Sequence, residues 1–205
     1  MTSIVDLALG LSLVAAPVCA AGLALAPSRR IAVALLMGVF LGCGAGIGFG
    51  QQLRIGLGLV ATGAVACGIL ALGLERSHWP ARREGAGPAP VGRVFRGATV
   101  ALVAAAAWGL SAPYVALPGP VSSARLTAAV MTVAMGLLQL GLSQEQGAAA
   151  LGLLTALAGF EVFYAGLEPS LALRAVLAAI MIGIALVSSM LLEAPPPQRE
   201  ERDVG

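Results

Sequence analysis

The chain has 205 residues, of which 59% are hydrophobic and 11% charged, with a mean hydropathy of +0.93. A soluble domain is roughly a quarter charged, so a water-soluble globule is excluded, and a net charge of +2 excludes a protein that binds nucleic acid by neutralising phosphates. All 12 basic residues are Arg and the only His is His78, which removes Schiff-base lysines, the P-loop lysine and His-rich metal or catalytic sites.

What remains is an all-α, polytopic membrane protein. A bilayer core of ~30 Å is crossed by about 20 apolar residues in a helix. Stretches of that kind run over 4–26, 31–50, 55–74, 97–117, 122–142, 147–167 and 170–192. They are built from Leu, Ala, Gly and Val without the alternation that barrel strands need. The reading is therefore about seven transmembrane helices. Six is the alternative, because only Gln51, Gln52 and Arg54 separate the second stretch from the third.

The first stretch ends in Val18-Cys19-Ala20-Ala21, small residues that a signal peptidase accepts. However, Asp6 stands where a signal peptide carries a basic residue, and the apolar run exceeds the usual ~7–15 residues. A retained first helix is the expectation. Gly38, Gly42, Gly46 and Gly50 in the second stretch form a chain of GxxxG steps, with Gly44 and Gly48 on a neighbouring strip. Glycine lets helix backbones approach closely, either within the chain or against another subunit. Residues 56–61 match GxGxxA but lie inside a span, with no preceding strand, so they are not a dinucleotide site. Cys19, Cys43 and Cys67, one in each of the first three stretches, lack a fourth ligand for zinc and read as small buried thiols.

These three helices make up a first membrane part, 1–74. Residues 75–96 follow as a cytoplasmic loop rich in Arg, Gly and Pro, with His78 and Trp79 read as a solvated His and an interfacial anchor. Residues 97–193 form a four-helix part, interrupted in its first span by Pro113, Pro118 and Pro120. Residues 194–205 form a proline-led, charged tail, read as a disordered cytoplasmic tail. With seven spans, nine Arg fall on one side and three (Arg54, Arg125, Arg174) on the other. The positive-inside rule then puts the N-terminus outside and the C-terminus in the cytoplasm.

One residue stands out chemically. Glu161, in Gly159-Phe160-Glu161-Val162-Phe163-Tyr164, lies about four residues past the centre of the sixth stretch, roughly 6 Å from the midplane. An ionised carboxylate at such a depth costs around 3 kcal/mol on insertion scales, so it needs a proton, an Arg partner or a wet cavity. Arg174 and Arg125, on the flanking helices, are the candidate partners, and Tyr164 and Gln139 are further polar groups. Two roles are open for Glu161: a structural Glu–Arg pair, or a carboxylate that takes and releases a proton. Asp6 and Glu168 sit at span edges and read as interfacial. No Cys or His cluster offers a haem or iron–sulfur site, so no cofactor and no metal is expected.

Residues 150–192, running from Ala150-Leu-Gly-Leu-Leu-Thr155 through Gly159-Phe160-Glu161-Val162-Phe163-Tyr164 and Glu168-Pro169-Ser170 into the last helix, resemble a small membrane subunit of the complex I superfamily. That superfamily comprises respiratory NADH:quinone oxidoreductases, Mrp-type antiporters and group 4 hydrogenases, and the likeness is to K-type and hydrogenase-4 E-type subunits. Residues 3–74, with Asp6 and Ser28-Arg29-Arg30, more loosely resemble small antiporter-type subunits. K-type subunits carry a second Glu on the following helix. Here the last span has none before Glu193, so the resemblance implies a single membrane carboxylate, Glu161. It also implies a non-catalytic subunit of a proton-pumping respiratory or antiporter complex in a bacterial inner membrane, packed against larger membrane subunits and lipid. The alternatives are a self-contained small transporter, which predicts inverted repeats with broken helices, and a structural or assembly protein.

Overall fold

In a computed structural model the chain forms seven α-helices: α1 (Thr2–Leu25), α2 (Arg29–Gly48), α3 (Leu53–Arg76), α4 (Pro90–Val115), α5 (Ser123–Leu142), α6 (Gln146–Ala165) and α7 (Leu171–Glu193). The structure describes residues 2–26, 28–48, 53–76, 90–115, 123–143, 146–167 and 170–193, and no strand occurs among them. The 20-residue helices are about 30 Å long, the depth of a bilayer core. Six helices are long and apolar enough to cross a membrane, and the described apolar part of α1 is the shorter Gly10–Leu25. The chain is a multi-pass membrane protein.

Apolar composition alone does not place the ends of these helices; local chemistry does. Ser28 caps α2, its Oγ accepting from the Ile31 N–H at 3.4 Å and its carbonyl from the Ala32 N–H at 3.0 Å. After α6 the chain tightens, with Gly166 N–H donating to the Phe163 carbonyl and Leu167 N–H to that of Tyr164. α4 begins at Pro90, inside the stretch read from sequence as a 75–96 loop. Proline is well placed in a first helical turn, where its missing N–H costs nothing, so the helix runs past its apolar segment into the Arg-bearing residues 93–96. Residues 77–89, with His78 and Trp79, and the 194–205 tail lie outside the described residues.

Hydroxyls inside the helices are consumed locally. Thr62, Thr99, Thr127, Thr132 and Thr155 each donate to the carbonyl four residues back, at 2.8–3.0 Å. In a medium without water a hydroxyl finds a partner this way, and these groups are thereby withdrawn from chemistry.

Packing follows chain order. α2 lies against α1 and α3, α6 lies against α5 and α7, and α2 meets α6, so α2 and α6 are the central helices. α4 stands at the edge, on α5 and more lightly on α1. Glycine sets the closest contacts. A Cβ at Gly38, Gly42 or Gly46 would meet Cys19, Ala16 or Leu13 of α1, the Gly42 position lying 2.9 Å from the Ala16 backbone nitrogen. These three glycines of the GxxxG chain are therefore spent within the chain; Gly50 lies outside the described residues. The neighbouring strip faces the other way: Gly44 meets Gly56 and Val60 of α3, and Gly48 meets Leu53. Phe40, fully buried, fills the notch left by Gly63. Between α5 and α6, Gly136, Gly152 and Gly159 play the same part, a contact set the sequence reading did not single out.

The surface is that of a membrane protein. Leu102 (70% exposed), Trp108 (64%) and Met190 (70%) face outward, whereas Thr132, Gln139, Thr155 and Glu161 are buried. Among lipid tails apolar side chains gain nothing by hiding from one another, so packing of small residues and internal hydrogen bonds hold such a bundle.

Candidate functional site

Glu161 belongs to a buried stripe of α6. Leu154, Ala158, Glu161 and Ala165 recur at helical spacing on one face, and Glu161 itself is 7% exposed. Gly152 and Gly159 pack α6 against α5 on the other side of the helix, about 180–200° of rotation from Glu161, so the Glu161 stripe faces away from α5, where α2 and α7 pack on α6. It lies within a turn and a half of the end of α6, towards the end of the bundle where α7 begins.

Two groups bear on the carboxyl from other helices. Cys43 of α2, fully buried, lies within electrostatic range of it. Arg174 of α7, one turn into its helix, also lies within electrostatic range. Among the described residues no ion pair within 4.0 Å joins them, and Arg174 Nε and Nη2 are buried without a hydrogen-bond partner. These two nitrogens form the guanidinium edge that grips a carboxylate through two parallel bonds. Glu161 is therefore near a cation but not clasped by it.

The other sequence candidate for that partnership is engaged elsewhere. Arg125, near the start of α5, donates from Nη2 to the Gly46 carbonyl of α2 at 3.4 Å, while its Nε is buried and unpartnered. A cation at the last carbonyls of a helix is favourably placed against the helix dipole. Gly46 lies one turn beyond Cys43, so Arg125, Arg174 and Glu161 share one end of the bundle even though Arg125 does not pair with the carboxylate. Tyr164, one turn after Glu161, is half-buried and stacks on Phe160 at a centroid separation of 5.9 Å.

Gln139 lies apart from this cluster, near the opposite end of α5. It ties α5 to α1, donating from Nε2 to the Ala20 carbonyl at 2.6 Å, and its Oε1 is buried without a partner. An open apolar groove of about 550 Å³, lined by Leu140, Ala150, Leu153, Ile184, Val187 and Ser188, opens at that same end and does not reach Glu161.

All three cysteines are free thiols. Among the described residues no group of three or more His, Cys, Asp or Glu is arranged to hold a metal ion. Cys43 is a group in electrostatic range of Glu161 that the sequence concealed: it reads as one buried thiol of three, and only the meeting of α2 with α6 brings it within that range. Asp6 falls in the first turns of α1, and Glu168 lies outside the described residues.

No protein-family model, curated protein or solved structure matches this chain.

Proposed function

We propose that this chain is a non-catalytic membrane subunit of an ion-translocating assembly, in which Glu161 takes up and releases a proton. One observation carries the reading. A carboxyl 7% exposed on a membrane-crossing helix has a guanidinium in electrostatic range but no ion pair among the described residues. A carboxylate kept only for structure is held in two hydrogen bonds to its Arg, because burying a charge without them is costly. Here the gripping edge of Arg174 is open. Loaded with a proton, Glu161 sits neutral in its apolar stripe. Unloaded, it has a cation nearby to stabilise its charge, and the two states can interconvert at modest cost.

The likeness of residues 150–192 to K-type subunits supports the same role. So do the apolar outer faces of α4 and α7, where Phe95, Leu110, Leu171 and Val176 are exposed. Such faces suit lipid and larger membrane subunits alike. The arginine count orients the chain with its N-terminus outside a bacterial inner membrane, and Glu161 then lies in the outer half.

The test is Glu161→Gln in membranes from the native host. Proton pumping should fall about tenfold to a hundredfold, while the assembled complex keeps its size on a native gel. Loss of assembly with pumping per complex unchanged would reduce Glu161 to a structural role and overturn the reading.

A further inference from the structure

The seven helices carry a repeat that residue identity conceals. The end of α1 and the end of α5 (Leu25, Leu142) stand 117 residues apart. So do the starts of α2 and α6 (Arg29, Gln146), their ends (Gly48, Ala165), and the ends of α3 and α7 (Arg76, Glu193). The start of the third helix departs by one residue, Leu53 against Leu171, and the start of the first by four, Thr2 against Ser123. Contacts repeat with the same step. A Cβ at Gly42 would lie 2.9 Å from the backbone nitrogen of Ala16, and one at Gly159 would lie 2.8 Å from that of Val133. Gly22 meets Leu35, and 117 residues later Gly152 meets Gln139, with the small and large partners exchanged.

The two sets also face each other helix by helix. α1 packs on α5, α2 on α6 and α3 on α7. The pairs that meet across this seam are near-counterparts: Ala20 with Gln139 and Gly73 with Ser189, separated by 119 and 116 residues, and Cys43, 118 residues before Glu161, lies within electrostatic range of it. Counterparts meeting at equal height means that the two units run in the same direction, with α4 as the span that returns the chain between them. The expectation of an inverted repeat for a self-contained transporter is replaced here by a parallel one. Transporters built from repeats hold their site at the repeat interface and work by moving one repeat against the other. Glu161 is on that interface.

We propose that α1–α3 and α5–α7 are two copies of one three-helix unit joined by α4, and that the chain by itself moves protons along the α2–α6 seam as the units shift against each other. A proton enters from one face, binds a carboxylate oxygen of Glu161 and leaves to the other face. The inference rests on the reading of Glu161 as a proton carrier and adds that no other subunit is needed for the passage.

The experiment uses the purified full chain in liposomes with an imposed pH gradient and an internal pH dye. Wild type should dissipate the gradient, and Glu161→Gln should slow this by about a hundredfold. A seam lock, Gly73→Cys with Ser189→Cys, uses positions where a Cβ at Gly73 would lie 3.0 Å from that of Ser189; Cys19 and Cys67 are replaced by Ala in that background, and the buried Cys43 is kept. Oxidation should stop the flux and reductant restore it. Gly38→Cys in the otherwise wild-type chain, where Cys19 is retained and its Cβ would lie 3.5 Å from the new one in the same unit, should oxidise without loss. If the seam pair fails to fold, Ala20→Cys with Gln139→Cys replaces it. Flux through the oxidised seam lock equal to that of its reduced form overturns the moving seam. Background flux from wild-type protein overturns autonomous passage, yet leaves the subunit reading standing if Glu161→Gln still lowers pumping in native membranes.

Discussion

At positions 22 and 44 the first three-helix unit carries glycine; 117 residues further on the second carries Gln139 and Glu161. Gly44 is spent on packing, its missing side chain admitting Gly56 and Val60 of α3. At the matching place α6 has released that contact and turned a carboxyl inward. The second unit has glycines of its own, Gly136 and Gly152, each set against the other's carbonyl oxygen between α5 and α6, the counterpart of the α1–α2 contact. Scaffold and chemistry have thus been separated. Both units keep the close glycine contact between their first two helices, Gly42 on Ala16 and Gly159 on Val133, and the second carries polar side chains where the first has Gly22 and Gly44. A buried polar side chain needs a cradle that is already stable, because it contributes little net energy itself.

This comparison can be broken at the shared contacts first. Gly42→Leu and Gly159→Leu should each destabilise the protein by about 3 kcal/mol, since a side chain forced against backbone has nowhere to go; thermal unfolding in detergent measures it. If one unit tolerates the change and the other does not, the two hairpins are not equivalent.

A smaller effect with a sharper signature is expected at Arg174. Arg174→Met removes a guanidinium with two buried, unpartnered nitrogens, so stability should hold or rise by about 1 kcal/mol. Proton movement through Glu161 should nevertheless change, and in a Glu161→Gln background the substitution should have no further effect on it. An additive loss in the double variant would separate the two residues.

At Gln139 the hydrogen bond to the Ala20 carbonyl is offset by an unsatisfied Oε1. Gln139→Leu should therefore shift stability by less than about 1 kcal/mol, read by the same unfolding assay. Least of all should Leu102→Ala matter. That side chain is 70% exposed on the edge helix α4, and a change of under roughly 0.5 kcal/mol is expected for a substitution away from packed contacts. A large loss there would mean that α4 is a packed member of the bundle rather than the connecting span.

The span boundaries were legible from composition: six of the seven expected stretches coincide with described helices to within a few residues, and the fourth, α4, starts at Pro90 rather than near 97. Composition marks where lipid begins, whereas a helix can continue beyond it into polar residues. Glu161 stood out in the sequence because a lone acid in an apolar run is costly, and it is indeed buried. Its surroundings were not readable. Arg125 and Arg174 lie on flanking helices at similar depth and were equivalent candidates; rotation about each helix axis sends Arg125 to the Gly46 carbonyl and leaves Arg174 in range of Glu161. The GxxxG chain announced close packing without naming the partner, and α1 proved to be it.

Sequence alone therefore determined that this is a bundle of membrane helices, roughly where each begins and ends, and which single acid lies deep within it. Those properties follow from local hydrophobicity and helix rise, which depend on no other part of the chain. Tertiary structure decided which helix faces which, that Cys43 and Arg174 but not Arg125 lie in electrostatic range of Glu161, and that the two three-helix units meet counterpart to counterpart. In lipid every apolar face is equally soluble, so the choice of neighbour falls to the fit of small residues across each contact, and that fit exists only once both helices are in place.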